Sequence, residues 1–119
     1  MQKLKSLYWI GGAKGELLGF PKELVHDFGA ALEAVQRGAS LAAGHGKTLF
    51  GFTPNVQEIL DRDRSGEYRV VFTIGFRNAV YVLHCFQKKS KKGIATPRQD
   101  LQTINERLSL ARHHYEENR

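Results

Sequence analysis

Residues 79–87 (AVYVLHCFQ) constrain the fold of this chain more than any other stretch, because their side chains are apolar at both alternating positions. Side chains of a strand point alternately to opposite faces, so a run apolar on both is covered on both and belongs at the centre of a sheet. Two further extended runs precede it, Val56 to Asp61 and Tyr68 to Ile74. The separators are Arg62 to Glu67, which contains Ser65-Gly66, and Gly75 to Asn78. Both are short enough to join antiparallel neighbours, so the three runs form a meander. Within the second, Tyr68, Val70, Phe72 and Ile74 share one face, and Arg69, Val71 and Thr73 share the other.

Helical periodicity flanks this meander. From Pro21 the apolar residues Leu24, Phe28, Leu32 and Val35 recur at spacings of 4, 4 and 3, with Gly38 as the stop, and predict an amphipathic helix of about 17 residues. Ala39 to Ala43 could add a short second helix, and Lys47 to Pro54 reads as an irregular, Gly-rich connection. Thr96-Pro97-Arg98-Gln99 has the form of a helix start with a Thr cap, and Leu101, Ile104, Leu108 and Ala111 continue it at helical spacing. Ser6 to Ile10, closed by Gly11-Gly12, reads as a first strand. With 119 residues there is room for one core, so the expectation is a single α+β domain over 1–119. It should hold an antiparallel or mixed sheet of about four strands, with N-terminal helices and a C-terminal helix.

Several chemistries are set aside on residue counts and spacing. One cysteine, Cys85, excludes a disulfide framework and a Cys-based zinc module, and suits a small core residue in a reducing, cytoplasmic setting. Gly46-Lys47-Thr48 resembles the tail of a phosphate-binding loop, but Leu41 stands where the motif needs glycine, so it reads as a turn with an exposed lysine. His113 and His114 are adjacent and point about 100° apart on a helix, and His26, His45 and His84 have no partner at ligand spacing. Asp61 and Asp63 read as a solvated hairpin tip. No metal and no cofactor is therefore expected. No apolar stretch approaches the ~20 residues of a membrane span, and no secretory signal follows Met1-Gln2-Lys3-Leu4-Lys5.

Charge is what remains. The formal net charge is +6, and residues 61–119 carry +5 of it. Four lysines, Lys88, Lys89, Lys91 and Lys92, fall within five residues directly after the central strand. Taken alone such a run is an ordinary solvated face. Arg69 alters that reading, because a hairpin brings the start of one strand beside the end of its neighbour, where Lys88 begins. Cations gathered on one sheet edge are suited to a phosphodiester and to the extra charge of its transition state.

The order of several marks resembles the RelE/ParE superfamily of toxins from toxin–antitoxin pairs, in its phage-derived, HigB-like branch. The marks are Leu7-Tyr8-Trp9-Ile10-Gly11, Leu18 to Pro21, Gln36-Arg37-Gly38, Glu67-Tyr68-Arg69-Val70-Val71-Phe72, the stretch from Tyr81 to Ser90, and Thr96-Pro97. The resemblance implies a small RelE-like domain that cuts messenger RNA in the ribosome, using the RNA 2′-hydroxyl and no metal. It also implies a cognate antitoxin, of a helix-turn-helix, HigA-like type, as partner. By position Arg69 matches the strand arginine on the scissile phosphate and Lys89 the second basic residue, with Lys88 beside them as a catalytic candidate. Lys91, Lys92, Arg98 and Arg77 are the expected RNA contacts, and Arg69→Ala is expected to abolish activity with the fold intact. The family's strand lysines correspond here to Glu58-Ile59-Leu60, which leaves the proton acceptor open. Two alternatives accompany this reading, a ParE-like toxin acting on DNA gyrase and a non-enzymatic phage-derived interaction protein.

Overall fold

A computed structural model describes residues 4–39, 46–88 and 96–119. Among the described residues five strands, where about four were expected, form one mixed sheet in the order β1-β5-β4-β3-β2. β1 (Ser6–Trp9) runs parallel to β5 (Ala79–Lys88), whereas β2 (Gly46–Leu49), β3 (Val56–Asp63), β4 (Gly66–Thr73) and β5 are an antiparallel meander. The expected irregular connection after Gly46 is thus partly strand, because Lys47 to Leu49 complete the ladder of β3 and blunt its edge. β5, expected at the centre, is interior between β1 and β4, and the central strand is its neighbour β4.

The two helical layers divide the alternating side chains of the sheet between them. α2 (Lys22–Gln36) buries Leu24, Phe28, Leu32 and Val35, the four residues its spacing singled out, against Val70, Phe72, Val80 and Val82. α3 (Arg98–Asn118) buries Ile104, Leu108 and Ala111 on the opposite face, with Val56, Val71, Tyr81 and Leu83. Each such side chain contributes roughly 1.5–3 kcal/mol by leaving water. Pro21 and Pro97 sit at the cap positions of these helices rather than inside them, and neither helix has a side-chain cap bond. The expected helix at Ala39 to Ala43 lies mostly outside the described residues.

A bulge changes which residues of β5 face the cleft side. Val71 pairs with His84 but Phe72 pairs with Val82, so Leu83 is an extra residue in β5. Beyond it the alternation is re-phased, and His84 and Phe86 join the α3 side while Cys85 packs on the α2 side. Lys88, two residues past Phe86, is thereby placed on the same face as Arg69.

A short helix that the periodicity did not reveal, α1 (Ala13–Leu18), supplies the tie between the layers. Its Glu16 accepts two hydrogen bonds from Arg107 of α3 (2.8 and 2.9 Å) and one from the Cys85 backbone N–H (3.1 Å). His84 lies between Glu16 (3.2 Å) and Asp100 (2.7 Å) in the same network. Gly11, at φ +56, makes the turn from β1 into α1, and a Cβ there would stand 2.9 Å from the Arg107 Nε. Burial opposes ionisation of Glu16, yet the bonds from Arg107 and Cys85 and the charge of His84 win and hold its pKa below the ordinary 4.5. A carboxylate with a depressed pKa stabilises the fold above its unfolded value and loses that contribution as pH falls through the native one. Urea unfolding should therefore show stability falling below about pH 4.5, and falling less steeply in Glu16→Gln.

Candidate active site

α3 covers only part of its face of the sheet. The remainder, towards the β3–β4 hairpin, is a cleft of about 280 Å³ lined by Gly46, Lys47, Glu58, Leu60, Arg62, Glu67 and Arg69. The register explains the gathering, since Lys47 pairs with Glu58, Leu60 with Arg69, Arg69 with Phe86, and Glu67 with both Arg62 and Lys88. Paired residues share a face, so four cations and two carboxylates from four strands meet there.

Arg69 is 2% exposed and lies between the two glutamates. Its Nη1 donates to Glu58 Oε1 at 2.9 Å, and its Nε and Nη2 both donate to Glu67 Oε2, at 3.1 and 2.7 Å. Glu58, 1% exposed, is also approached by Lys47 Nζ at 3.6 Å and accepts the Thr96 hydroxyl at 3.2 Å. The predicted role of Thr96 as a helix cap is thus replaced, because a buried carboxylate needs the donor more than a solvated helix end does. Glu67 is less enclosed and has a second partner in Arg62 at 3.4 Å. Burial raises its pKa, but the hydrogen bond and charge of Arg69, with Lys88 and Arg62 behind them, take it below 4.5. Lys88 moves the other way from most lysines: desolvation first, then the charges of Arg69 and Lys47, outweigh Glu67 and Glu58 and lower its pKa from 10.5.

The structure brings together some of the predicted residues and separates others. Arg69 and Lys88 are on one face as expected. Arg98 is exposed at the first position of α3, two residues after the Thr96 that touches Glu58. Arg77 is not at this edge. It occupies the β4–β5 turn, at the opposite end of the ten-residue β5 from Lys88 and so about 30 Å away. Lys89, Lys91 and Lys92 lie outside the described residues. Lys47, an exposed turn lysine by sequence, joins the site as part of β2, and Lys47-Thr48-Leu49 has no polar–apolar alternation to announce that strand. Cys85 is buried in the core and burial pushes its thiol pKa up, which suits packing and not nucleophilic attack. At the hairpin tip Asp63 accepts bonds from the Ser65 N–H (2.8 Å) and hydroxyl (2.6 Å), a turn role as expected. Among the described residues no group of three or more His, Cys, Asp or Glu side chains could hold a metal ion. No helix among them is long and apolar enough to cross a membrane.

Comparison with known proteins places this geometry in a family. The E. coli toxin RelE, solved in the free state as an arginine-to-alanine double mutant, superimposes with a TM-score of 0.59 at 17% sequence identity. The match covers 91% of this chain and 98% of that one, and shows a shared fold. No curated protein sequence gives a significant match. The family model described as "Phage derived protein Gp49-like" matches residues 15–109, which includes α2, the whole meander and half of α3. The chain therefore belongs to the phage-derived Gp49-like family, and its fold is the one seen in RelE.

Proposed function

We propose that the chain is the toxin of a toxin–antitoxin pair and a metal-independent endoribonuclease that cuts messenger RNA on the ribosome. The observation that carries this reading is the Arg69 clamp in an otherwise cationic cleft. The Glu67 carboxylate occupies the Nε/Nη2 edge of Arg69, the edge whose paired N–H groups also match a phosphate. Glu67 thus stands in for a phosphodiester, and it has Arg62 as an alternative partner when RNA takes its place. Glu58 has no such freedom and holds the other end of the guanidinium in position.

The chemistry follows from the neighbours. Lys88, with its pKa lowered, in its neutral form accepts the proton of the RNA 2′-hydroxyl. The 2′-oxygen attacks phosphorus and the bond to the 5′-oxygen breaks, that oxygen taking a proton from solvent water, which leaves a 2′,3′-cyclic phosphate and a 5′-hydroxyl. Arg69 and Lys47 stabilise the charge that accumulates on the phosphoryl oxygens. Lys89 is proposed as the second basic catalytic residue, and Lys91, Lys92 and Arg98 as contacts to the RNA backbone. The cognate antitoxin, of helix-turn-helix type, is proposed to cover this face in the cytoplasm and neutralise part of its charge.

The test is cleavage with and without translation. Purified protein should cut a reporter mRNA in a reaction containing translating ribosomes, unaffected by chelation of trace metals beyond those the ribosome needs, and leave the same RNA intact when it is naked. Robust, metal-dependent cutting of naked RNA would contradict the reading, as would intact RNA in cells arrested with supercoiling lost.

A further inference from the structure

The far end of the sheet carries a second concavity that shares no residue with the cleft. β1, the β4–β5 turn and the last turns of α3 enclose a hollow of about 260 Å³, lined by Tyr8, Arg77, Asn78, Tyr81, Tyr115 and Arg119 among others. Among the described residues no Asp or Glu side chain lines it. Tyr8 and Tyr81 stack with ring centres 5.0 Å apart, and Tyr115 lies 5.1 Å from Phe76, which meets Tyr81 edge-on at 5.5 Å. Tyr81 is the buried floor, its hydroxyl bonded to His114 Nδ1 at 2.7 Å. Burial, and then the nearby phenols of Tyr8 and Tyr115, raise its pKa above 10.0.

The mouth is as specific as the floor. Asn78 is held at φ +63 and its carbonyl accepts the Ser6 N–H at 3.1 Å, so the turn that displays Arg77 is tied to β1. Arg77 itself is exposed. A cluster of tyrosine rings with an exposed guanidinium at its rim, hydroxyl and amide groups beside it and no Asp or Glu side chain in the described lining matches a ring that carries an anion.

We propose that this hollow binds a nucleoside monophosphate, either free or as one unit of a single-stranded RNA, with the base on the tyrosine rings and the phosphate on Arg77. Base–aromatic stacking and a charge-assisted arginine–phosphate pair supply the two anchors. The site is independent of the cleft, since about 30 Å of β5 separates Arg77 from Lys88.

Nuclear magnetic resonance titration of the labelled protein tests it with four probes: AMP, adenosine, inorganic phosphate and an adenylate hexamer. AMP should saturably shift the amides of Ser6, Asn78 and Ala79, and adenosine or phosphate alone should bind about tenfold more weakly or worse. Arg77→Ala, a change at an exposed side chain, should weaken AMP about tenfold, and Tyr115→Leu should do likewise. A hexamer that shifts these amides about tenfold more tightly than AMP identifies the strand as the source, and equal affinity identifies the free nucleotide. Shifts confined to the cleft between Lys47 and Lys88, AMP binding unaltered by Arg77→Ala, phosphate alone matching AMP, or no saturable shift would each overturn the assignment.

Discussion

Arg69→Ala should lose both stability and activity, in contrast to the expectation from sequence that its removal spares the fold. The side chain is buried between Glu58 and Glu67, and Glu58 is itself buried with Arg69 as its nearest cation at 2.9 Å. Removing Arg69 deprives the buried Glu58 carboxylate of its nearest cation, with Lys47 farther off at 3.6 Å, and costs up to about 3–5 kcal/mol. Two companion variants separate the structural cost from the catalytic one. Glu58→Gln combined with Arg69→Ala removes the orphaned charge and should recover much of the stability without any activity. Arg69→Lys keeps a cation for Glu58 but loses the forked pair of donors, so cleavage by the folded protein should drop by about 10² to 10³. Lys14→Ala and Lys22→Ala, on α1 and α2 away from the cleft, should change neither quantity. Urea unfolding beside a translation-coupled cleavage assay reads all of these, and activity of Arg69→Lys that simply tracks its folded fraction would reduce Arg69 to a structural residue.

Lys88→Ala should have the opposite profile, a large loss of rate with no loss of stability. The native pKa of Lys88 lies below its ordinary 10.5, so the protonated side chain is a cost to the folded state. That cost is present at neutral pH and is relieved as pH rises through the native value, so truncation should leave the unfolding midpoint unchanged or slightly raised. A positioned proton acceptor contributes about 10² to 10⁴ in rate. Lys88→Arg should lose as much as Lys88→Ala, because arginine keeps the charge but gives up no proton. The wild-type rate should climb with pH towards an inflection below 10.5, and that climb should vanish in Lys88→Arg. A rate profile shared by the two proteins would assign the proton transfer to another group.

The parts of this architecture legible in the sequence are those set by local pattern. The spacing of Leu24, Phe28, Leu32 and Val35 fixes the buried stripe of α2, and the doubly apolar run from Ala79 fixes an interior strand. The fold class, the three-strand meander and the helix after Pro97 follow from the same rules. Three features were not legible, each for a non-local reason. β2 is a four-residue strand whose existence depends on β3 as a template, so Lys47 looked like a loop residue. α1 is six residues long, too short for a periodic signal, and its Glu16 acquires meaning only from Arg107, 91 positions later. The bulge at Leu83 resets the faces of β5, and no spacing rule announces it. For the site, hairpin geometry put Arg69 and Lys88 on one face as expected, although the ladder pairs Lys88 with Glu67. The sequence offered Glu58 and Glu67 as possible partners of Arg69 but could not show that Glu58 is buried and that both hold the arginine at once. Arg77 was grouped with the other cations by charge alone, and the topology sends it to the opposite end of the sheet.

The most direct measurement of the central claim is the chemistry of the cut ends after brief induction of the protein in growing cells. Sequencing that distinguishes RNA termini should show new breaks within translated regions of messenger RNA, with a 2′,3′-cyclic phosphate on the upstream fragment and a 5′-hydroxyl on the downstream one, and none of these with Arg69→Lys. Growth arrest without new RNA ends, or breaks that carry 5′-phosphates as a metal-activated water would leave, would contradict it.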